Sequence, residues 1–332
     1  MRLPDLHGIA IIVLASSLLA NPWTAPRKGQ EWKLEPPSPE FALPTTTDAP
    51  VVECAECHAE VSREWQESAH ALAWRDEHYQ ESLKKRRQPE LCHGCHIPEP
   101  LLALEKLPRK PRPRADRLEH GVSCESCHQG PQGEMLGPWG VQVDAHPSAV
   151  SPRMSGAGAD ALCAACHATN IGPVIGVAKD FLASGQAERG KSCVGCHMAP
   201  IERRWAEGEE VPLRKGRSHA LQTPRDPAFL RRAFALGLET DASGSSLVIT
   251  NEAGHRVPGL IGREILFSAT LLDGSGDVLV ERELQIDSRS YLPVGGQRRI
   301  DFQRKGSSVR ITGSHVDPRS PEPMTFLDQE LD

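Results

Sequence analysis

The chain has 332 residues, a formal net charge of -6 and aromatic residues at only 5%. That length fits one large or two ordinary domains, and the mild charge excludes the basic footprint of a nucleic-acid binder. Aromatic side chains are too few to fill a core of this size, so something else is expected to occupy the interior.

In chain order, Arg2 opens a thin positive region that Asp5 weakens, and an apolar run follows from Ile9 to Ala20. The run falls short of the about 20 residues that cross a bilayer. Residues 1–20 therefore read as a signal peptide, with a retained anchor as the alternative because Leu18 sits poorly for cleavage. Export to the periplasmic or extracellular side of the membrane follows. Residues 21–50, rich in Pro, Thr and Glu, read as an extended leader. From Glu60 to about Arg87 neither Gly nor Pro occurs, which predicts one long helix.

All ten cysteines fall in five copies of one pattern. They are Cys54, Cys57 and His58; Cys92, Cys95 and His96; Cys124, Cys127 and His128; Cys163, Cys166 and His167; and Cys193, Cys196 and His197. C-x-x-C-H is the covalent c-type haem attachment pattern: two thiols one helical turn apart reach the macrocycle, and the next histidine turns to the iron as proximal ligand. A disulfide scaffold or zinc ribbon would not need a histidine after every second cysteine. Five haems c are expected. The motif histidines recur every 30 to 39 residues, too few to wrap each macrocycle separately, so the haems should supply the buried apolar surface and lie close together.

Besides the five motif-closing histidines and His7, eight further histidines remain, His93 among them inside the second motif, and some must complete the irons. His70 is the leading distal candidate. On one continuous helix it would sit about 18 Å beyond His58, so it must serve a different haem. Trp65 and Trp74 flank it, placed to pack on macrocycles or in an ordinary core. His146, His219, His120 and His255 are also candidate distal ligands. His78 reads as solvated, His93 as non-axial, and His315 as a weak candidate; Met135, Met154 and Met198 are not needed. Histidines suffice for bis-histidine ligation of all five irons.

Between Lys84 and Arg117 there are ten basic residues against four acidic ones, so the rest of the chain is correspondingly acidic. This segment could offset haem propionates, form a solvated loop or dock an acidic redox partner. Residues 51–225 are expected to form a mostly α and irregular cytochrome domain with haems as its core. Residues 226–332 are expected to form an all-β, sandwich-like domain. Its strands are read at Ser246–Thr250, Ile265–Leu271, Val278–Val280 and Ser308–Thr312, with a turn at Asp273–Gly276 and a frayed acidic tail after Pro321.

Cys54 to His58 followed by Glu64, Trp65, Ser68, His70 and Ala71 resembles the opening of multihaem cytochromes related to the tetrahaem electron acceptor of hydroxylamine oxidoreductase. Gly121 to His128, Cys193 to Met198 and Ser218-His219 carry the same resemblance, over roughly residues 51–225. It implies that His70, His146 and His219 are distal ligands on haems other than their nearest neighbours, that haems stack in pairs, and that the chain transfers electrons. Asn251 to Pro258 resembles a β-domain turn appended to such cytochromes, which strengthens His255. Two features depart from the pattern: five haems replace four, and Gln129 precedes Gly130-Pro131 after the third motif.

An electron carrier is the first expectation, without catalytic residues. A second is a multihaem oxidoreductase with one open haem acting on small nitrogen or sulfur compounds. No motif here carries the lysine typical of cytochrome c nitrite reductases at the catalytic haem. A third is a polymerising wire in which His255 reaches a neighbouring copy. Expected partners are a redox-protein donor and acceptor, with a membrane-bound or outer-surface complex and a homo-oligomer left open, and no nucleic acid.

Overall fold

The computed structural model describes residues 54–332 apart from residue 142 and residues 171–174. The expectations for residues 1–20 and 21–50 lie outside the described residues.

The motif region is built from short helices. Helix α1 (Cys54–Cys57) leads into α2 (Ala59–Gln66), followed by α3 (Glu77–Lys84), α4 (Glu90–His96), α5 (Cys124–His128), α6 (Gly156–His167), α7 (Val177–Ala183) and α8 (Cys193–His197). Each C-x-x-C-H copy thus ends a helix or spans one. The linkers contain β1 (Met135–Gly137) beside β2 (Ser148–Val150), and β3 (Pro200–Arg203) antiparallel to β4 (Arg214–Arg217). The apolar cluster here is small, centred on Leu101, Leu102, Leu162 and Ala165.

The long helix expected from Glu60 to Arg87 is broken. Helix α2 stops at Gln66, turns follow, and α3 begins at Glu77 with Asp76 capping it through Tyr79 N–H at 2.8 Å. Absence of Gly and Pro permits a helix but does not compel one. Here the Ser68 hydroxyl accepts from Ala71 N–H, and the His70 carbonyl accepts Val122 N–H at 2.8 Å from another segment. Gly121 makes this junction close: its φ is 56°, and a Cβ there would sit 2.3 Å from the His70 carbonyl oxygen.

After α9 (Pro227–Arg231) come seven strands: β5 (Phe234–Thr240), β6 (Ser245–Asn251), β7 (Glu264–Leu272), β8 (Val278–Ile286), β9 (Gln297–Asp301), β10 (Ser308–Val316) and β11 (Met324–Leu331). They form two antiparallel sheets, ordered β5-β6-β9 and β11-β10-β7-β8. Leu247, Ile249 and Ile300 of the first sheet share one apolar core with Phe267, Leu271, Val309 and Ile311 of the second. The two sheets face each other without closing into a barrel. The acidic tail is not frayed: Met324–Leu331 pairs with β10, and its Phe326 and Leu327 are buried in that core. Charge after Pro321 concealed a strand whose apolar residues lock it down.

Candidate metal centres

Sites I to V denote the five motifs in chain order. Their cysteines are all free thiols, and among the described residues no cluster of three or more His, Cys, Asp or Glu converges on one point.

Four of the motif histidines are oriented by backbone. Nδ1 of His58 donates to the Trp205 carbonyl, His96 to Ala73 at 2.5 Å, His128 to Leu136 at 2.8 Å and His197 to Gln222 at 2.7 Å. A carbonyl can only accept, so each ring carries its proton on Nδ1 and keeps the Nε2 lone pair for a metal.

Four histidine pairs face each other across a gap. His58 and His146 have ring centres 6.3 Å apart, His70 and His167 6.1 Å, His128 and His219 6.1 Å, and His197 and His255 6.3 Å. Imidazole–metal bonds are roughly 2 Å long, and adding the half-widths of two rings separates their centres by about 6 Å. The observed spacing fits one iron between each pair. It is too wide for ring stacking and too wide for a direct hydrogen bond. Burial pushes His70 and His219 down to about 4, so both imidazoles are neutral and able to donate a lone pair. Nδ1 of His219 is buried without a partner. These residues fit haem.

Site II differs. His96 has Tyr79 stacked flat against its ring at 3.7 Å and 6°, and no second histidine faces it among the described residues. The Tyr79 hydroxyl is buried without a hydrogen-bond partner. His120, expected as a distal candidate, does not join the pairs. It is exposed, edge-on to Trp65 at 6.5 Å and beside Glu119. His93 packs edge-on against Trp74 at 5.1 Å, and His78 is exposed. His315 is buried in β10. Trp65 donates to the Val122 carbonyl at 2.8 Å, tying the His70 turn to site III.

Thiols from different motifs meet. Cys54 lies against Cys124, Cys95 against Cys166, and Cys163 against Cys193, while Cys127 lies near Cys163. Site I therefore adjoins III, III adjoins IV, and IV adjoins both II and V. Asp160 of α6 reinforces the last junction by accepting Cys193 N–H at 2.8 Å at the start of α8.

Two supports around the pairs carry no motif. Glu64 on α2 receives both terminal nitrogens of Arg203, at 3.0 and 2.7 Å, and the backbone N–H of His219 at 2.7 Å. Arg203 also lies over the Trp205 ring at 4.8 Å, and Trp205 supplies the carbonyl that orients His58. One ion pair thus braces both His219 and, through Trp205, His58. Glu64 lies in the stretch that carries the family resemblance, but nothing local in the sequence links it to Arg203. At site V, Asn251 donates to the carbonyls of His255, Leu292 and Pro293 at 2.9 to 3.1 Å and accepts Ala253 N–H at 2.8 Å. Arg256 grips Asp180 of α7, and a Cβ on Gly254 would sit 2.8 Å from the Phe181 ring. The turn is pressed onto the motif region, with His255 aimed at His197 of its own chain. That takes away the support an interchain role drew from His255.

The family described as cytochrome c554 and c-prime matches residues 53–129, which hold the first three motifs. No curated protein matches the chain. Among solved structures, the chain is similar to a penta-haem cytochrome c552 from Thermochromatium tepidum. The TM-score is 0.58 and the identity 17%, covering 84% of this chain and 97% of that one. At that identity the likeness is one of fold.

Proposed function

We propose that the chain is an extracytoplasmic electron carrier with five covalently attached haems c, four of them held by two histidines each. The observation that carries this reading is the set of four histidine pairs spaced for an iron, each containing a motif histidine. The haem irons supply reversible one-electron chemistry. The chain does the rest. Its cysteines would hold five macrocycles, His146, His219, His70 and His255 would complete sites I, III, IV and V, and backbone carbonyls fix four of the five proximal rings, those of His58, His96, His128 and His197. An imidazole on each side would keep the coordination unchanged between redox states, which suits rapid transfer. The thiol contacts support an ordered path, I–III–IV, that branches to II and V. The apolar run Ile9–Ala20 supports export.

A second reading, a small-molecule oxidoreductase, draws on one observation: His96 has no histidine opposite it among the described residues. The two readings share the same first experiment, an electron paramagnetic resonance spectrum of the oxidised protein, calibrated to haem per chain. We expect four low-spin bis-histidine irons and one high-spin iron. Five low-spin irons would remove the oxidoreductase reading. Fewer than four low-spin irons would overturn the histidine pairing.

A further inference from the structure

We propose that the basic segment around the second motif is a docking port where an acidic redox protein exchanges electrons with site II. The proposal rests on the reading of the chain as an electron carrier and adds where a partner meets it. In a chain of net charge -6, this segment concentrates positive charge. Lys85, Arg86, Arg87, Lys106, Arg109, Lys110 and Arg112 are exposed. Their side chains form none of the hydrogen bonds or ion pairs found among the described residues. By contrast, the neighbouring Lys84, Arg114 and Arg117 are engaged with Glu81, with backbone carbonyls and with Glu125.

A run of unpaired cations is usually just a solvated surface. Three features set this one apart. First, it is anchored on the motif itself. Ile97 and Glu99 bond the backbone of Arg114 and Arg112 at 2.9 and 2.8 Å, and Pro98 bridges to Pro113. Gly94, inside the motif, lets the Pro111 carbonyl approach so closely that a Cβ would sit 2.0 Å from its oxygen. Arg109, Lys110 and Arg112 are therefore presented on a preformed strap rather than on a loose tail, which lowers the ordering cost of binding.

Second, the motif has an inner and an outer edge. Cys95 faces Cys166 of site IV, whereas Cys92 faces no thiol of another motif and lies within the field of Arg86. Site II is the end of a branch, with its outer edge on the basic segment. Third, Leu91 and Leu104 are exposed at 51% and 41% within the segment. Apolar contact inside a charged rim is the pattern of a transient protein interface. A partner of opposite charge would be steered here, raising its association rate at low ionic strength.

The test uses the full haem-loaded chain and a small acidic iron–sulfur ferredoxin as reductant. Stopped-flow rates are measured across ionic strength, and complex formation is measured by titration calorimetry. Two variants are compared, Lys85→Glu with Arg86→Glu and Arg87→Glu, and Arg109→Glu with Lys110→Glu and Arg112→Glu. We expect each to slow association about tenfold at low salt, flatten the salt dependence and weaken binding, with unchanged haem spectra. Reduction by a small uncharged reductant should stay the same. Unchanged ferredoxin rates in both variants would overturn the port. So would salt-dependent binding of the basic segment to anionic vesicles with no effect on ferredoxin. If the unmodified chain takes electrons from neither reductant, the carrier reading itself fails.

Discussion

At the scale of single residues, the paired imidazoles matter most. His70→Ala should leave five haems attached and convert one iron, that of site IV, to a high-spin spectrum. His120→Ala should change nothing, because that ring is exposed against Trp65. Unchanged spectra in the first variant would remove His70 from the ligands. Glu64→Gln tests the brace. It strips the charge from a pair whose arginine side chain is 8% exposed, leaving that cation the more distant Glu60 carboxylate at 3.6 Å, at a cost of about 2 kcal/mol. Loosening His219 should also shift the g-values of one low-spin signal, which a purely structural loss would not. The motif histidines stand out because C-x-x-C-H is a local pattern. The histidines that face four of them were only a shortlist, since a facing ring needs the right place in space and no particular neighbours in sequence. Glu64 and Trp205 were invisible as supports for the same reason.

At the scale of elements, the turn from Asn251 to Arg256 is the most informative. A single amide ties three carbonyls and one N–H together. Asn251→Ala should therefore leave several buried polar groups unpaired, at about 1–3 kcal/mol each. It should also weaken the low-spin signal of site V while sites I, III and IV stay unchanged; a uniform loss across all four would argue against a local role. The strands β6, β7 and β10 were readable from their β-branched and apolar residues, within a few residues at their ends. Strands β5, β9 and β11 escaped, because Gly237, Arg298 with Arg299, and Asp328 with Glu330 interrupt the apolar alternation. Sheet partners override those local signals. The broken helix after Gln66 failed in the opposite direction: propensity favoured it, but the His70 carbonyl is taken by Val122.

At the scale of the molecule, charge ties the sheets to the motif region. Asp317 beyond β10 is gripped by Arg319 at 2.6 Å and Arg263 at 3.2 Å, while Arg319 also reaches Asp76, the cap of α3, at 3.9 Å. Burial disfavours the charged carboxylate, but hydrogen bonds from Arg319 and the charges of Arg263 and Arg319 outweigh it and hold Asp317 well below the usual carboxylate range. A carboxyl lowered in the native state stabilises fully above its unfolded value of about 3.9, and that contribution is lost as pH falls below it. Asp317→Asn should lower stability at neutral pH by about 3 kcal/mol and flatten the further loss on acidification, as read by thermal melts from pH 7 to pH 3. An unchanged acid slope would show that other carboxylates set it. The turn that carries His255 has a consequence in time. Synthesis runs from the N-terminus, so His70 exists before the motif histidine it faces, whereas His255 emerges only after the fifth motif and just ahead of most of the strands that brace it. Site V must therefore mature last, and a chain halted before β6 would carry five attached macrocycles with its terminal branch still unfinished.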